Sequence, residues 1–156
     1  MVLAETDRSW SVSRSAELYG LDRWGEPYFS INSRGHIVVQ PRGDRGGSLD
    51  LVELVKGLAA RDLHPPVLIR FDDILEDRLE RLHAAFERAI SLYDYDGRYQ
   101  GVFPIKCNQQ RHVVEHLVDR GQRWSFGLEA GSKAELLIAL APVSYTHLRA
   151  HETSQH

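Results

Sequence analysis

From residue 66 onward, apolar runs of strand length alternate with longer stretches of helical periodicity, and this alternation constrains the fold more than any other feature. Pro66 to Phe71 is an apolar run broken only by Arg70. Ile74, Leu75, Leu79, Leu82, Phe86, Ala89 and Ile90 then recur at helical spacing and mark the buried face of a helix ending near Tyr93. Turn chemistry at Asp94-Tyr95-Asp96-Gly97 leads to a second apolar run, which ends on Lys106. A helix from about Gln109 to Arg120 follows, with Gly121 at C′, then a strand over Phe126 to Leu128 and a helix from Ser132. Asp73 with Glu76, and Ser132 with Glu135, have the spacing of capping boxes. This order predicts an α/β chain with a parallel sheet and helical crossovers.

The run Tyr99-Gln100-Gly101-Val102-Phe103-Pro104-Ile105-Lys106 reads as a buried strand delivering Lys106 to its carboxyl end. In parallel α/β folds that edge collects ligands and catalytic groups, because the strands fan apart there. One reading of Lys106 is an ordinary strand-terminal lysine reaching for water. The other is a Schiff-base lysine, whose amine is partly desolvated to lower its pKa for attack on an aldehyde. Glu129 ends the neighbouring strand, within reach of the same edge. Alternation along a strand would turn the thiol of Cys107 away from the lysine. Lys133, in the first turn of a helix, reads as a surface residue. His112-Val113-Val114-Glu115-His116 matches a helical H-x-x-E-H zinc pattern. Val113, Val114, Leu117 and Val118 claim the buried face of that helix, which leaves the two histidines at its margin and no third ligand nearby, so no metal site is assigned.

The preceding half is simpler. Met1 to about Ser15 is polar and aperiodic and reads as a frayed lead-in pinned by Trp10. Tyr28 to Gln40 alternates about Asn32-Ser33-Arg34-Gly35, which suits a β-hairpin with a type I turn and a glycine bulge. Arg42-Gly43-Asp44-Arg45-Gly46-Gly47 lacks the spacing of a phosphate loop and reads as a linker. Ser48 fits an N-cap for a helix to about Ala60, with Leu51, Val52, Leu54, Val55 and Leu58 on one face, stopped by His64-Pro65-Pro66.

The 156 residues are 42% apolar and 26% charged, as in a globular protein, and a net charge of −3 argues against nucleic acid or an anionic membrane as the main partner. No apolar run approaches the ~20 residues that cross a bilayer, and no signal-peptide pattern opens the chain. Cys107 is the single cysteine, so a cytoplasmic setting is the default.

Several separated motifs carry a family resemblance. Pro104-Ile105-Lys106-Cys107-Asn108-Gln109-Gln110-Arg111 and Gly127 to Leu137, preceded by Tyr19 to Gly25, Tyr28 to Asn32, Gly35 to Val39 and Pro66 to Phe71, resemble in order and spacing the biosynthetic arginine decarboxylases. That family is pyridoxal-phosphate dependent, with an alanine-racemase-like (β/α)8 barrel. The resemblance spans about Leu18 to Ala141. It implies that Lys106 binds pyridoxal 5'-phosphate, that Glu129 is an active-site contact, and that Mg2+ takes part without identified ligands. It implies L-arginine as substrate, agmatine and carbon dioxide as products on the way to spermidine, and a homo-oligomer for the full-length protein. Other barrel decarboxylases acting on diaminopimelate or ornithine are an alternative that Tyr19 to Val39 disfavours, and a non-catalytic pyridoxal-phosphate binder is another.

From Val143 the text departs from the family pattern. It reads as the translation of a transposon mosaic-end adapter used in sequencing libraries, whose DNA encodes Val143 through Glu152, so His147 and His151 are not taken as ligands. The resulting division is 1–17 lead-in, 18–64 hairpin plus helix, 65–141 partial barrel and 142–156 non-native tail. About three of the eight strand-helix units of a barrel are present, which predicts an N-terminal fragment inactive by itself.

Overall fold

The computed structural model describes residues 9–141, so the tail reading and residues 1–8 of the lead-in lie outside the described residues. Two compact units divide between Ile74 and Leu75.

In the first unit the Asn32-Ser33-Arg34-Gly35 tetrad closes a hairpin of β1 (Phe29–Ile31) and β2 (Ile37–Val39), registered Phe29 to Val39 and Ile31 to Ile37. Gly35 N–H donates to Asn32 O, Asn32 N–H donates to His36 O, and Gly35 has φ +80°, the signature of a type I turn with a glycine bulge. A Cβ at Gly35 would also meet the Trp10 ring at 2.5 Å, so the indole does lie over this turn.

A third strand, β3 (Leu49–Asp50), pairs antiparallel with β2, where the helix expected after a Ser48 cap would already have begun. Asp50 explains why. Its Oδ2 accepts from Asn32 Nδ2 at 2.9 Å and Arg34 Nη2 at 2.8 Å and lies 2.9 Å from His36 Nδ1. Its Oδ1 accepts from the N–H groups of Val52 and Glu53 and so caps α3 (Leu51–Ala59). The cap is therefore Asp50, not Ser48: a carboxylate satisfies two helix donors and the hairpin turn at once. Partial desolvation works to raise the Asp50 pKa, but the hydrogen bonds from His36, Glu53, Asn32 and Val52 outweigh it and hold the carboxyl at about 2.

The lead-in also differs from expectation. Val12–Tyr19 is α1, capped by Ser11 Oγ on Arg14 N–H and ended by Gly20 at φ +60°, and Leu21–Trp24 is α2. Eight residues are too few for apolar periodicity to register, so the caps carry this helix. Pro66 to Phe71 forms no strand among the described residues: an apolar run is a strand only when a neighbour takes its backbone groups, and Leu68 stays 77% exposed.

α4 (Asp72–Leu92) starts two residues earlier than an Asp73 cap requires, which puts Asp73 inside the first turn. Asp73 accepts instead from Arg42 Nη2 at 3.3 Å, and Glu76 is drawn to Arg123 at 3.2 Å and Arg120 at 4.0 Å. Its buried face is also rotated from expectation. Glu76, Asp77, Leu79 and His83 are buried, while Leu82 and Phe86 are exposed. Arg81 Nε pairs with Asp77 at 2.6 Å, which makes burial of that carboxylate tolerable.

His83 sits in an aromatic box, stacked on Trp124 (centroids 5.2 Å, 8° between planes) and flanked by Tyr99 at 4.9 Å and Phe126 at 6.0 Å. Its Nε2 has no hydrogen-bond partner among the described residues. Burial pushes the imidazole below its ordinary value, against an opposing pull from Glu87. A folded pKa below the unfolded one gives stability that is present above the unfolded pKa of about 6.5 and is lost as pH falls toward the folded value. Urea midpoints measured from pH 7.5 to 5.5 should fall, and His83→Phe should flatten that decline; an unchanged slope in the variant would refute the assignment to His83.

Candidate active site around Lys106

β4 (Val102–Pro104) and β5 (Gly127–Glu129) form a parallel pair, registered Val102 to Gly127, Phe103 to Leu128 and Pro104 to Glu129. α5 (Arg111–Gly121) crosses over between them and α6 (Lys133–Leu140) follows β5. Parallel strands require such a crossover, because a tight turn cannot reverse the chain twice. The inner face of α5 divides between two clusters. Val113 and Leu117 pack with Leu79, supported by Leu75, Phe103, Trp124 and Phe126. Val114 packs with Ile105 and Ala139, supported by Val118, Leu128 and Ile138.

The crossover does not stop at Gly121, whose φ of −76° is helical. A 3-10 turn over Gln122–Trp124 continues it, and Ser125 at φ +54° supplies the left-handed stop, with Phe126 N–H donating to Gly121 O at 3.1 Å. Gly121 is needed for space instead: a Cβ there would lie 2.8 Å from the Cβ of Phe126.

Lys106 lies in a 3-10 turn, Ile105–Cys107, immediately after β4. It is thus two residues past the strand, and the strand itself is not buried, since Val102 is 51% exposed. Ile105 is the fully buried member of the turn, and Lys106 and Cys107 are both exposed. Strand alternation therefore does not govern the relation of Cys107 to the lysine. Asn108 Oδ1 accepts from Gln110 N–H at 2.9 Å, and Gln110 O accepts from Val113 and Val114 N–H to begin α5.

Glu129 closes β5 opposite Pro104, two residues before Lys106, and is half-buried. Among the described residues the two side chains form no ion pair, so the register brings them to the same strand ends without joining them. Ser132 Oγ caps α6 on Glu135 N–H at 3.2 Å, while Glu135 Oε2 accepts from Gly131 N–H at 2.7 Å, one residue before the cap that the box motif predicts. Lys133 is exposed at the start of α6. His112 is exposed and His116 half-buried on α5, and no three His, Cys, Asp or Glu side chains gather into a metal-binding group among the described residues.

The arrangement offers an accessible primary amine on a turn anchored by a buried isoleucine, with a carboxylate at the next strand end. A primary amine is the group an aldehyde cofactor requires, so Lys106 fits the aldehyde of pyridoxal phosphate. Among the described residues no comparable fit exists for Mg2+, which wants several oxygen ligands at one point. Two surface concavities lie elsewhere, one along Arg81, Ala84, Glu87, Arg88 and Leu92 and one beside Glu76, Arg120 and Arg123. The residues missed by sequence reasoning are Asn108, Ile105 and His83. Of these Asn108 had a local signal, an Asx residue two before a helix cap.

The pyridoxal-binding domain of the pyridoxal-dependent decarboxylases matches residues 76–148, overlapping the start of the 142–156 tail. Biosynthetic arginine decarboxylase of Synechococcus sp. RCC307 is 75% identical over 134 residues, 86% of this chain and 21% of that one. The protein of the same name from Parasynechococcus marenigrum WH8102 is 75% identical over 141 residues, covering 90% and 22%. The crystal structure of the biosynthetic arginine decarboxylase SpeA from Campylobacter jejuni superposes with a TM-score of 0.70 at 34% identity, over 79% of this chain and 20% of that one. The chain spans about a fifth of the length of these relatives. With the parallel pair and its crossover, the likeness identifies β4, α5, β5 and α6 as units of an incomplete (β/α)8 barrel.

Proposed function

We propose, from the premise that this chain belongs with the pyridoxal-dependent arginine decarboxylases whose N-terminal part it matches in sequence and fold, that the complete protein converts L-arginine to agmatine and carbon dioxide. The observation that supports this best is the accessible Lys106 on the turn closing β4, inside a stretch so similar to proteins of that name. Lys106 holds the cofactor through its Nζ. When bound there, pyridoxal phosphate supplies an electron sink for the pair left behind as carbon dioxide departs. Glu129 contributes negative charge at the same strand ends, favouring the protonated form of a nearby nitrogen. Ile105 and the surrounding cluster give the lysine a rigid base, which orientation of the scissile bond requires.

The same reading has 18–64 as a hairpin-and-helix region, 65–141 as the first barrel units, a cytoplasmic setting and a homo-oligomeric complete protein. Among the described residues no helix is long and apolar enough to cross a membrane. Borohydride reduction of the complete protein with pyridoxal phosphate, followed by peptide mapping, should find the pyridoxyl group on Lys106. A label on Lys56 or Lys133 instead would overturn the assignment. Residues 142–156 we attribute to adapter read-through. Resequencing the locus without transposon adapters should give a different continuation after Ala141 or Pro142, and recovery of the same residues before a genuine stop codon would defeat that attribution.

A further inference from the structure

We propose that Asn108 is a positioning residue for Lys106, its side-chain oxygen closing a circuit of contacts that holds the lysine's backbone on both sides. The inference rests on Lys106 being the cofactor-bearing lysine.

Among the described residues the Lys106 side chain is exposed, so what this chain fixes of its placement is the backbone from which it springs. On the entering side, Ile105 is fully buried against Val114 and Ala139. On the leaving side, Asn108 is extended (φ −158°, ψ 117°) and its Oδ1 takes the Gln110 N–H at 2.9 Å. Gln110 O in turn accepts from Val114 N–H at 3.1 Å, and Val114 is the residue on which Ile105 packs. The path Ile105, Val114, Gln110, Asn108 therefore returns to its start, with Lys106 and Cys107 as the remaining span. Hydrogen bonding closes two of its links and apolar packing a third. The Asn108 oxygen thus ties the chain between the lysine turn and the first residue ahead of α5.

An ordinary Asx turn leading into a helix would also contain this bond, and it would affect only stability. The two roles separate by what the lysine does. In the complete protein, the rate of pyridoxyl labelling of Lys106 after addition of pyridoxal phosphate to the cofactor-free form reads the aim of the amine without reference to turnover. A displacement of about 1 Å at a reacting group costs on the order of 10²-fold, so partial loosening should slow labelling by about tenfold or more. Asn108→Ala should show that loss, and Asn108→Asp should restore the rate, because a carboxylate oxygen accepts the same N–H. Gln110→Pro removes the donor from the other side, at a φ of −67° that proline already favours, and should slow labelling as Asn108→Ala does. It also keeps the test alive should Asn108→Ala fail to fold. Wild-type labelling in Asn108→Ala or Gln110→Pro would overturn the proposal, as would equal slowing in Asn108→Asp. Absence of label from Lys106 in the unsubstituted protein would overturn the function reading beneath it, a distinguishable result.

Discussion

Lys106→Ala in the complete protein should lower arginine decarboxylation by on the order of 10³-fold or more, to the level of free cofactor, with folding unchanged. Among the described residues the side chain is exposed and makes no ion pair, so its removal breaks no contact with any of them. A loss of activity with an unmoved urea midpoint therefore separates a chemical role from a structural one. Trapping labelled carbon dioxide from arginine measures it. The 156-residue chain by itself should release no more than free cofactor does, with or without Lys106, because catalysis needs a closed cavity that orients the bond and excludes water. Release from the short chain that Lys106→Ala abolishes would show that this stretch assembles a working site alone. Undiminished release from the substituted complete protein would remove Lys106 from the chemistry.

Ile105→Ala should have the largest effect on stability. Ile105 is fully buried, with Val114, Ala139, Val118, Leu128 and Ile138 around it, so truncation loses transfer free energy and leaves a void between α5 and α6. Core changes of this kind cost about 2–5 kcal/mol, and Ile105→Val, which loses one methylene, about 0.5–1.5. Urea denaturation followed by tryptophan fluorescence should rank the variants in that order. Because Ile105 also anchors the lysine turn, pyridoxyl labelling should weaken in the alanine variant under conditions where it remains folded. A cost below about 1 kcal/mol would show that the neighbours collapse into the space and that the anchor is replaceable.

Local rules were enough for much of this chain, and the residues show which. Asn32 to Gly35 specify their turn by an αL glycine and an Asx side chain, so the hairpin was legible. Ser132 and Glu135 announced the start of α6, and the alternation of runs announced the parallel pair and its crossover. The lysine after β4 stood out through the family resemblance of the text around it, since an apolar run closing on a lysine is by itself an ordinary strand end.

Tertiary structure decided what depends on a distant partner. Which face of α4 is buried was read from apolar spacing alone, yet Glu76 and Asp77 are inside because Arg120, Arg123 and Arg81 pair with them, and His83 because Trp124, Tyr99 and Phe126 enclose it. Asp50 outcompeted Ser48 as a cap because three hairpin side chains converge on it from 14 to 18 residues away. Pro66 to Phe71 has strand composition without a ladder, since strand formation requires a second backbone to bond. The aim of Lys106 is divided between the two: Asn108 holding Gln110 is a local turn, but Ile105 meeting Val114 is a contact that exists only once α5 has folded back along β4.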